Sequence, residues 1–265
     1  RVLFNPENRG VGGAIVTAYK AAIADGVDIV VKIDGDGQMN PALLHHFVRP
    51  LLRGEADYTK GNRFFRPESV QGMPPVRLFG NAVLSFMTKL SCGYWNIMDP
   101  TNGYTAARTC VLAELPLDKL EQRYFFETDM LFRLNTVRAV VKDVPMDAVY
   151  ADEESHLKIG KVLPEFLRKH ASRLWRRYVY SYLVRDFNVG SVYSLVGLVL
   201  LTFGLFFGLY GWISGVQHAA PATSGTVMLA ALPVIVGIQC WIAFLHHDVS
   251  NVPTEPLSGL LDETD

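Results

Sequence analysis

The chain has 265 residues and a formal net charge of −1 at pH 7, and 49% of its residues are hydrophobic whereas 19% are charged. This composition excludes a disordered chain, and the lack of a strong basic charge argues against a nucleic acid as partner. The three cysteines, Cys92, Cys110 and Cys240, are widely separated and form no C-x-x-C pair. Neither a disulfide framework nor a structural zinc site is therefore expected.

Residues 1–160 alternate helical patterns with short apolar runs, which is typical of an α/β fold with a mostly parallel sheet. The periodicity predicts helices at residues 14–24, 41–52 and 78–90, and strands at residues 28–33 and 139–144. Open sheets of this kind bind ligands at the carboxyl ends of their strands. Functional residues are therefore expected directly after the strands.

The DGDGQ motif at residues 34–38 follows the first predicted strand. Two carboxylates two residues apart can converge on one hard cation, and Mg²⁺ and Mn²⁺ prefer oxygen ligands and often hold substrate phosphates. The alternative is a turn in which Asp and Gly serve only the backbone geometry. An EF-hand is excluded, because Met39 and His45 stand where that loop needs Gly and Glu, and because a strand comes before the motif.

A helix predicted at residues 164–184 is amphipathic and basic. Its apolar residues recur at spacings of three or four: Leu167, Ala171, Leu174, Tyr178 and Tyr182. Its arginines lie largely off this stripe: Arg168, Arg173, Arg176 and Arg177. Such a helix next to an apolar stretch is typical of a segment lying on an anionic membrane surface. Packing of the helix on the α/β domain is the alternative.

No Asp, Glu, Lys or Arg occurs between Asp186 and Asp248. This stretch contains two runs of membrane-spanning length, at residues 191–213 and 226–245. A buried hairpin of a soluble domain is the alternative interpretation. All 25 basic residues precede Phe187, so the positive-inside rule predicts that the N-terminal domain and the tail at residues 248–265 are cytoplasmic.

Five motifs follow one another along the chain: NRGVGG at residues 8–13, DGDGQ at 34–38, GNR at 61–63, DPTNGY at 99–104 and FFETD at 125–129. This order resembles the family 2 glycosyltransferases with the GT-A fold. The two C-terminal spans resemble the polyprenyl-phosphate glycosyltransferase branch, which includes dolichyl-phosphate mannose synthase-like and bactoprenol glucosyltransferase-like enzymes. The family's first strand, with its V-P-x-Y-N-E-like motif and base-holding Asp, has no counterpart here, so the chain is expected to begin inside the family's domain.

The resemblance implies four segments. Residues 1–160 would be the C-terminal portion of a GT-A catalytic domain, and residues 161–186 a basic juxtamembrane helix. Residues 187–247 would hold the two spans, and residues 248–265 would form the cytoplasmic tail.

The resemblance also implies roles for individual residues. The metal and diphosphate site would consist of Asp34, Asp36 and Gln38. Catalytic positions would be Arg63, Asp99 and Glu127. Substrate contacts would come from Asn8 and Gly10 in the first motif, from Arg77 and Asn81, and from Lys158 in the YADEESHLK loop.

The activity that the resemblance implies is inverting transfer of one sugar from a nucleotide sugar to a polyprenyl phosphate, with Mg²⁺ or Mn²⁺, at the cytoplasmic face of the inner membrane. The acceptor phosphate is already anionic, so positioning and electrostatics can replace a general base. Asp99 and Glu127 would then orient the sugar or the metal shell. A processive polysaccharide synthase and a non-catalytic membrane scaffold are the alternatives. The first carries a Q-x-x-R-W segment, which residues 173–177 do not match.

Overall fold

The computed structural model describes residues 2–66, 75–147 and 159–262. The chain divides into two compact units, Arg1–Arg177 with Val252–Asp265, and Tyr178–Asn251. The first unit contains the helices α1 Gly10–Ala24, α2 Leu44–Leu52, α3 Pro75–Cys92, α4 Thr109–Ala113, α5 Phe126–Thr136, α6 Ile159–Tyr178 and α9 Leu257–Asp262, of which α6 reaches the boundary. Its strands are β1 Ile29–Lys32, β2 Tyr58–Asn62, β3 Thr105–Arg108 and β4 Val141–Pro145. The α/β prediction is thus confirmed.

The four strands form one sheet in the order β1-β3-β2-β4. Strand β3 pairs antiparallel with β1 and β2, whereas β2 and β4 pair in parallel. Three strands thus point in one direction, but the pairing is mixed rather than mostly parallel as predicted. The reason is that β3 starts at the carboxyl edge of its neighbours, where Thr105 lies opposite both Lys32 and Lys60.

The two faces of the sheet cover two cores. On one face, Val30, Tyr58, Ala107 and Val141 pack with residues of α1 and α5, among them Ile15, Tyr19 and Met130. On the other face, Ile29, Val31 and Ala106 pack with Phe47 and Leu51 of α2. Because side chains alternate along a strand, the polar residues Lys32, Thr105, Lys60 and Asp143 form one row across all four strands on the first face. This row lies at the carboxyl edge, where ligands bind in open sheets.

Helix α6 packs on the first unit with its polar side. Arg173 and Arg177 are buried, whereas Leu167, Leu174 and Trp175 are exposed. From the sequence, Arg173 and Arg177 were predicted only to lie off the apolar stripe of the helix. Their burial was not predicted. Acidic and carbonyl partners on the domain explain the difference: Arg173 pairs with Asp129, and Arg177 donates to the carbonyl oxygen of Leu90.

The second unit contains a π-helical turn Val179–Arg185 and two long helices, α7 Val189–Gln217 and α8 Ser224–Ser250. Both are long and apolar enough to cross a membrane. They extend the predicted spans at both ends. Glycines allow their close packing: a Cβ at Gly197 would lie 2.7 Å from the Trp241 ring, and one at Gly237 would lie 2.8 Å from Leu201.

The C-terminal segment, which includes most of the predicted tail at residues 248–265, belongs to the first unit. Val252, Leu257 and Leu261 pack against the first core. The buried carboxylate of Asp57 accepts the backbone N–H groups of Leu257 and Ser258, at 2.8 Å each, and of Val140 at 2.7 Å. Asp57 therefore fixes the start of α9 to the amino end of β2.

Candidate active site

Lys32, Asp34 and Glu127 form the centre of the site at the carboxyl end of β1. The Lys32 ammonium lies 3.2 Å from Asp34 Oδ1 and 3.3 Å from Glu127 Oε1. Lys32 and Glu127 are mostly buried, whereas the Asp34 side chain keeps 32% of its exposure. Glu127 belongs to the first turn of α5, where the helix dipole stabilises a carboxylate. The structure thus brings together two predicted site residues that are far apart in the sequence.

Gly103 allows the loop before β3 to approach this centre. A Cβ at Gly103 would lie 2.3 Å from Asp34 Oδ2 and 2.7 Å from Lys32 Nζ. No L side chain fits there without displacing one of these groups. Glycine in the DPTNGY motif thus lets the loop lie directly against the ends of two charged side chains.

Arg63 and Asp99 form a bidentate ion pair beside this loop. Arg63 donates from Nε to Asp99 Oδ2 at 2.7 Å and from Nη2 to Oδ1 at 3.1 Å. Thr101 and Asn102 donate to the same carboxylate, at 3.4 and 3.3 Å. The Asp99 side chain is fully buried, while 29% of the Arg63 side chain is exposed. The geometry suits Asp99 for holding the guanidinium and leaves Arg63 as the group that reaches solvent.

Lys60 contacts the loop that contains Asn102 and Gly103. Its side chain is buried, and its ammonium donates to the backbone carbonyl of Asn102. Burial lowers the pKa of Lys60 to about 8, against the attraction of Glu127 and Asp99. Sequence reasoning missed Lys32 and Lys60. Lys32 could have been predicted as a site residue, because it lies two residues before Asp34 at the end of a predicted strand.

Asp143 completes the polar row. Its Oδ2 accepts from Asn62 Nδ2 and from the backbone N–H of Met98, at 2.9 Å each. Burial raises the pKa of Asp143 to about 6, with a smaller contribution from the neighbouring Asp99 charge. The contact with Met98 holds the segment that leads into Asp99.

The DGDGQ loop offers oxygen donors for a metal. Asp36 is exposed, and its Oδ1 accepts the backbone N–H of Gln38 at 3.0 Å. Within the described ranges, no group of three or more His, Cys, Asp or Glu side chains is arranged to hold a metal ion. Asp34 and Asp36 carry carboxylate oxygens and Gln38 carries an amide oxygen, which are the donor types that hard cations prefer.

The glycine-rich turn, residues 8–13 at the start of α1, contacts the segment before α5. Asn8 Oδ1 accepts the backbone N–H of Gly10, and the N–H of Gly12 donates to the carbonyl of Gln122, at 2.9 Å each. A Cβ at Gly10 would lie 2.5 Å from that same carbonyl oxygen. Gly10 also has a positive φ of 72°, so both conformation and space require glycine. Gly10 and Gly12 thus pack against the segment that leads into the helix carrying Glu127, and Asn8 caps the N–H of Gly10.

The remaining predicted residues lie on α3 or outside the described part of the chain. Asn81 lines a groove of about 300 Å³, together with Phe64, Leu78, Ala82, Ser85, Phe86, Lys89 and Met98. Arg77 falls on α3, but its side chain lies outside the described residues, as does the whole of Lys158. The groove adjoins the ion pair, because Phe64 follows Arg63 and Met98 precedes Asp99.

The first part of the chain is similar in sequence to a known protein family. Residues 1–115 match the model of glycosyl transferase family 2. This is the family that the order of the motifs resembles.

Two relatives are polyprenyl-phosphate glycosyltransferases by name. The chain is 31% identical over 146 residues to the UDP-N-acetylglucosamine–dolichyl-phosphate N-acetylglucosaminyltransferase of Methanococcus voltae, covering 55% of this chain and 58% of the relative. It is 28% identical over 149 residues to the undecaprenyl-phosphate mannosyltransferase of Micrococcus luteus, covering 56% and 60%. The chain thus spans less than two thirds of the length of these relatives.

Among solved structures, the fold is similar to glucosyl-3-phosphoglycerate synthase from Mycobacterium tuberculosis in complex with Mn²⁺, uridine diphosphate and phosphoglyceric acid. The sequence identity is 21% and the TM-score is 0.46, over 65% of this chain and 56% of that chain.

Proposed function

We propose that the protein transfers one sugar from a nucleotide sugar to a polyprenyl phosphate at the cytoplasmic face of the membrane. The observation that carries this proposal is the convergence of Asp34, Glu127 and the Arg63–Asp99 pair around the Gly103 loop. The names of the two relatives, a dolichyl-phosphate and an undecaprenyl-phosphate transferase, support the same acceptor class.

On the donor side, Asp34, Asp36 and Gln38 would hold Mg²⁺ or Mn²⁺. The metal would supply charge neutralisation for the departing diphosphate. Arg63 would bind phosphate oxygens, since a guanidinium suits bidentate phosphate recognition. Asp99 would be a positioning residue for Arg63, which is consistent with its burial and its five hydrogen bonds.

On the acceptor side, the groove along α3 would receive the start of the isoprenoid tail. Its wall includes Phe64, Leu78 and Phe86, and Phe64 is the chain neighbour of Arg63. An apolar groove near a cation matches a ligand with an apolar chain and a phosphate head. Arg77 and Asn81, both on α3, would contact that head.

Membrane attachment would come from α7 and α8 and from the exposed apolar side of α6. Leu163, Leu167, Leu174 and Trp175 are exposed on α6, and burial of such side chains in the headgroup region holds a helix at the membrane surface. The residues before Tyr178 and after Asn251 both belong to the first unit. Both ends of the second unit would therefore lie on one side of the bilayer. The lack of basic residues between Asp186 and Asp248 supports the cytoplasm as that side.

The proposal is tested by assaying transfer of labelled sugar into organic-solvent-extractable lipid. Asp36→Asn is the sharpest variant, because Asp36 is exposed and the amide keeps an acceptor for the Gln38 N–H. We expect a loss of about 10²-fold or more if a preorganised charge is removed. Chelation should have the same effect on the wild type.

Asp118→Asn is the matched control, since Asp118 is an exposed partner of Lys20. It should retain wild-type transfer. Transfer that survives both chelation and Asp36→Asn would contradict a metal role for the motif and would make it a structural turn.

A further inference from the structure

A buried ionic network joins α6 to the segment that carries the site. The Asp129 side chain is fully buried. Its Oδ1 lies 2.5 Å from Arg173 Nε, and its Oδ2 lies 3.1 Å from Arg133 Nε. Glu121 joins the network, because its carboxylate pairs with Arg173 Nη2 at 3.2 Å and with Lys169 Nζ at 2.8 Å. Two acids and three bases thus connect α5, α6 and the segment before α5.

The network is adjacent to Glu127. Residues two apart on a helix point in different directions, so Asp129 faces α6 while Glu127 faces Lys32 on the opposite side of α5. Arg173 also lies over the ring of Phe132, 5.5 Å from its centroid. A shift of Arg173 would therefore act on the first two turns of α5, which hold Glu127.

The network also reaches the glycine-rich turn. The backbone N–H of Glu121 donates to Asp129 Oδ2 at 3.1 Å. A Cβ at Gly12 would lie 2.4 Å from the carbonyl oxygen of Glu121, and the Gly12 N–H donates to Gln122. Glu121 and Gln122 thus pack directly against Gly12 and Gly10.

We infer that Arg173 is a positioning residue, through which the juxtamembrane helix holds Glu127 and the glycine-rich turn in their places in the site. The expected effect on catalysis rests on the proposed function. The positioning of α5 and of residues 10–13 does not, because Arg173 makes its contacts whatever the substrate is. No local pattern in the sequence indicates this role, since Arg173 falls among arginines that suit a solvated helix face.

The test compares the wild type with Arg173→Met and Arg176→Met in detergent, where membrane attachment does not limit the reaction. Arg176 lies on the same helix and is exposed, so it is the matched control. Hydrogen exchange should become faster at residues 10–13 and 121–129 in Arg173→Met only, and α2 and β2 should keep their wild-type rates. The kcat for sugar transfer should fall about tenfold or more, because small misplacements of reacting groups are costly, with KM for the lipid acceptor nearly unchanged.

Arg173→Lys is the second variant, for the case in which Arg173→Met folds poorly. It keeps the charge but has one ammonium in place of a fork that reaches both Asp129 and Glu121. We expect an intermediate kcat and an intermediate change in exchange at the same two segments.

Three outcomes separate the possibilities. Unchanged local exchange together with a kcat within twofold of wild type would overturn the inference, and so would faster exchange spread evenly over the whole domain. Local changes in exchange without any sugar transfer by the wild type would support the positioning role while the proposed function fails.

Discussion

Individual charged residues in the site are held by close backbone approaches and by ion pairs. Gly103 lies against Asp34 and Lys32, and Asp99 holds Arg63 with two hydrogen bonds to its side chain. The motifs in the sequence predict which residues gather at the strand ends. They do not predict Lys60 or Asp143, because the burial of those residues results from the register of β2 with β3 and β4.

The Gly103→Ala substitution should distort the site without unfolding the domain. The added methyl group would overlap Asp34 Oδ2 and Lys32 Nζ, so one of these groups must move. We expect sugar transfer to fall about 10²-fold, as for a misplacement of about 1 Å. Gly259→Ala is the control, because nothing lies within 4 Å of the position that its Cβ would occupy. Equal activities of the two variants would show that the close approach is unimportant.

Among the elements, the long helices could be predicted from the sequence, whereas the short strands β2 and β3 could not. The apolar runs of α7 and α8 identify these helices from sequence alone. Strand β2 reads YTKGN and β3 reads TAAR, and neither has the β-branched alternation that marks a strand. Their pairing in the folded protein overrides the weak local preference. For α6 the helix was predicted, but the buried acids that attract its arginines are distant in sequence.

The contact of α6 with α3 should make the first unit sensitive to acid. His170 is buried on α6, 2.9 Å from Ser91 Oγ and against the Phe125 ring, and burial lowers the pKa of His170 to about 4. Between that value and an ordinary pKa of about 6.5, the unfolded chain binds a proton that the folded protein does not. This contribution to stability is therefore complete above pH 6.5 and is lost as the pH falls toward 4.

The measurement is the free energy of unfolding of wild type and His170→Gln at pH 7 and pH 4.5. The wild type should lose about 2 kcal/mol more than the variant over this range. Comparison of the two proteins cancels other groups, including Asp143, whose raised pKa gives a slope of opposite sign. Parallel losses in both proteins would show that His170 is not the titrating group.

For the molecule as a whole, the chain leaves the first unit at α6 and returns to it after α8. Asp57 accepts three backbone N–H groups, of which two belong to the returning segment. The sequence has no local signal for this contact, because Asp57 and Leu257 are 200 residues apart. The C-terminal segment is therefore part of the fold of the first unit.

Asp57→Ala should destabilise the first unit. Removing the carboxylate leaves three N–H groups without their acceptor, and each hydrogen bond to a charged group contributes about 1.5 kcal/mol or more. We expect a loss of about 3–5 kcal/mol in the free energy of unfolding. The exposed Asp118→Ala should change it by about 0.5 kcal/mol or less. A small effect of Asp57→Ala would contradict the structural role of the returning segment.

The mass of the lipid product shows whether the protein transfers one sugar, many sugars or none. Purified protein in detergent is incubated with a polyprenyl phosphate, a divalent cation and each of several nucleotide sugars, and the organic extract is analysed by mass spectrometry. With one or more donors, each lipid should gain a single sugar, and the Asp36→Asn variant should give no such product. A long polymer would instead indicate a processive synthase, and an unmodified lipid with every donor would indicate a scaffold without transferase activity.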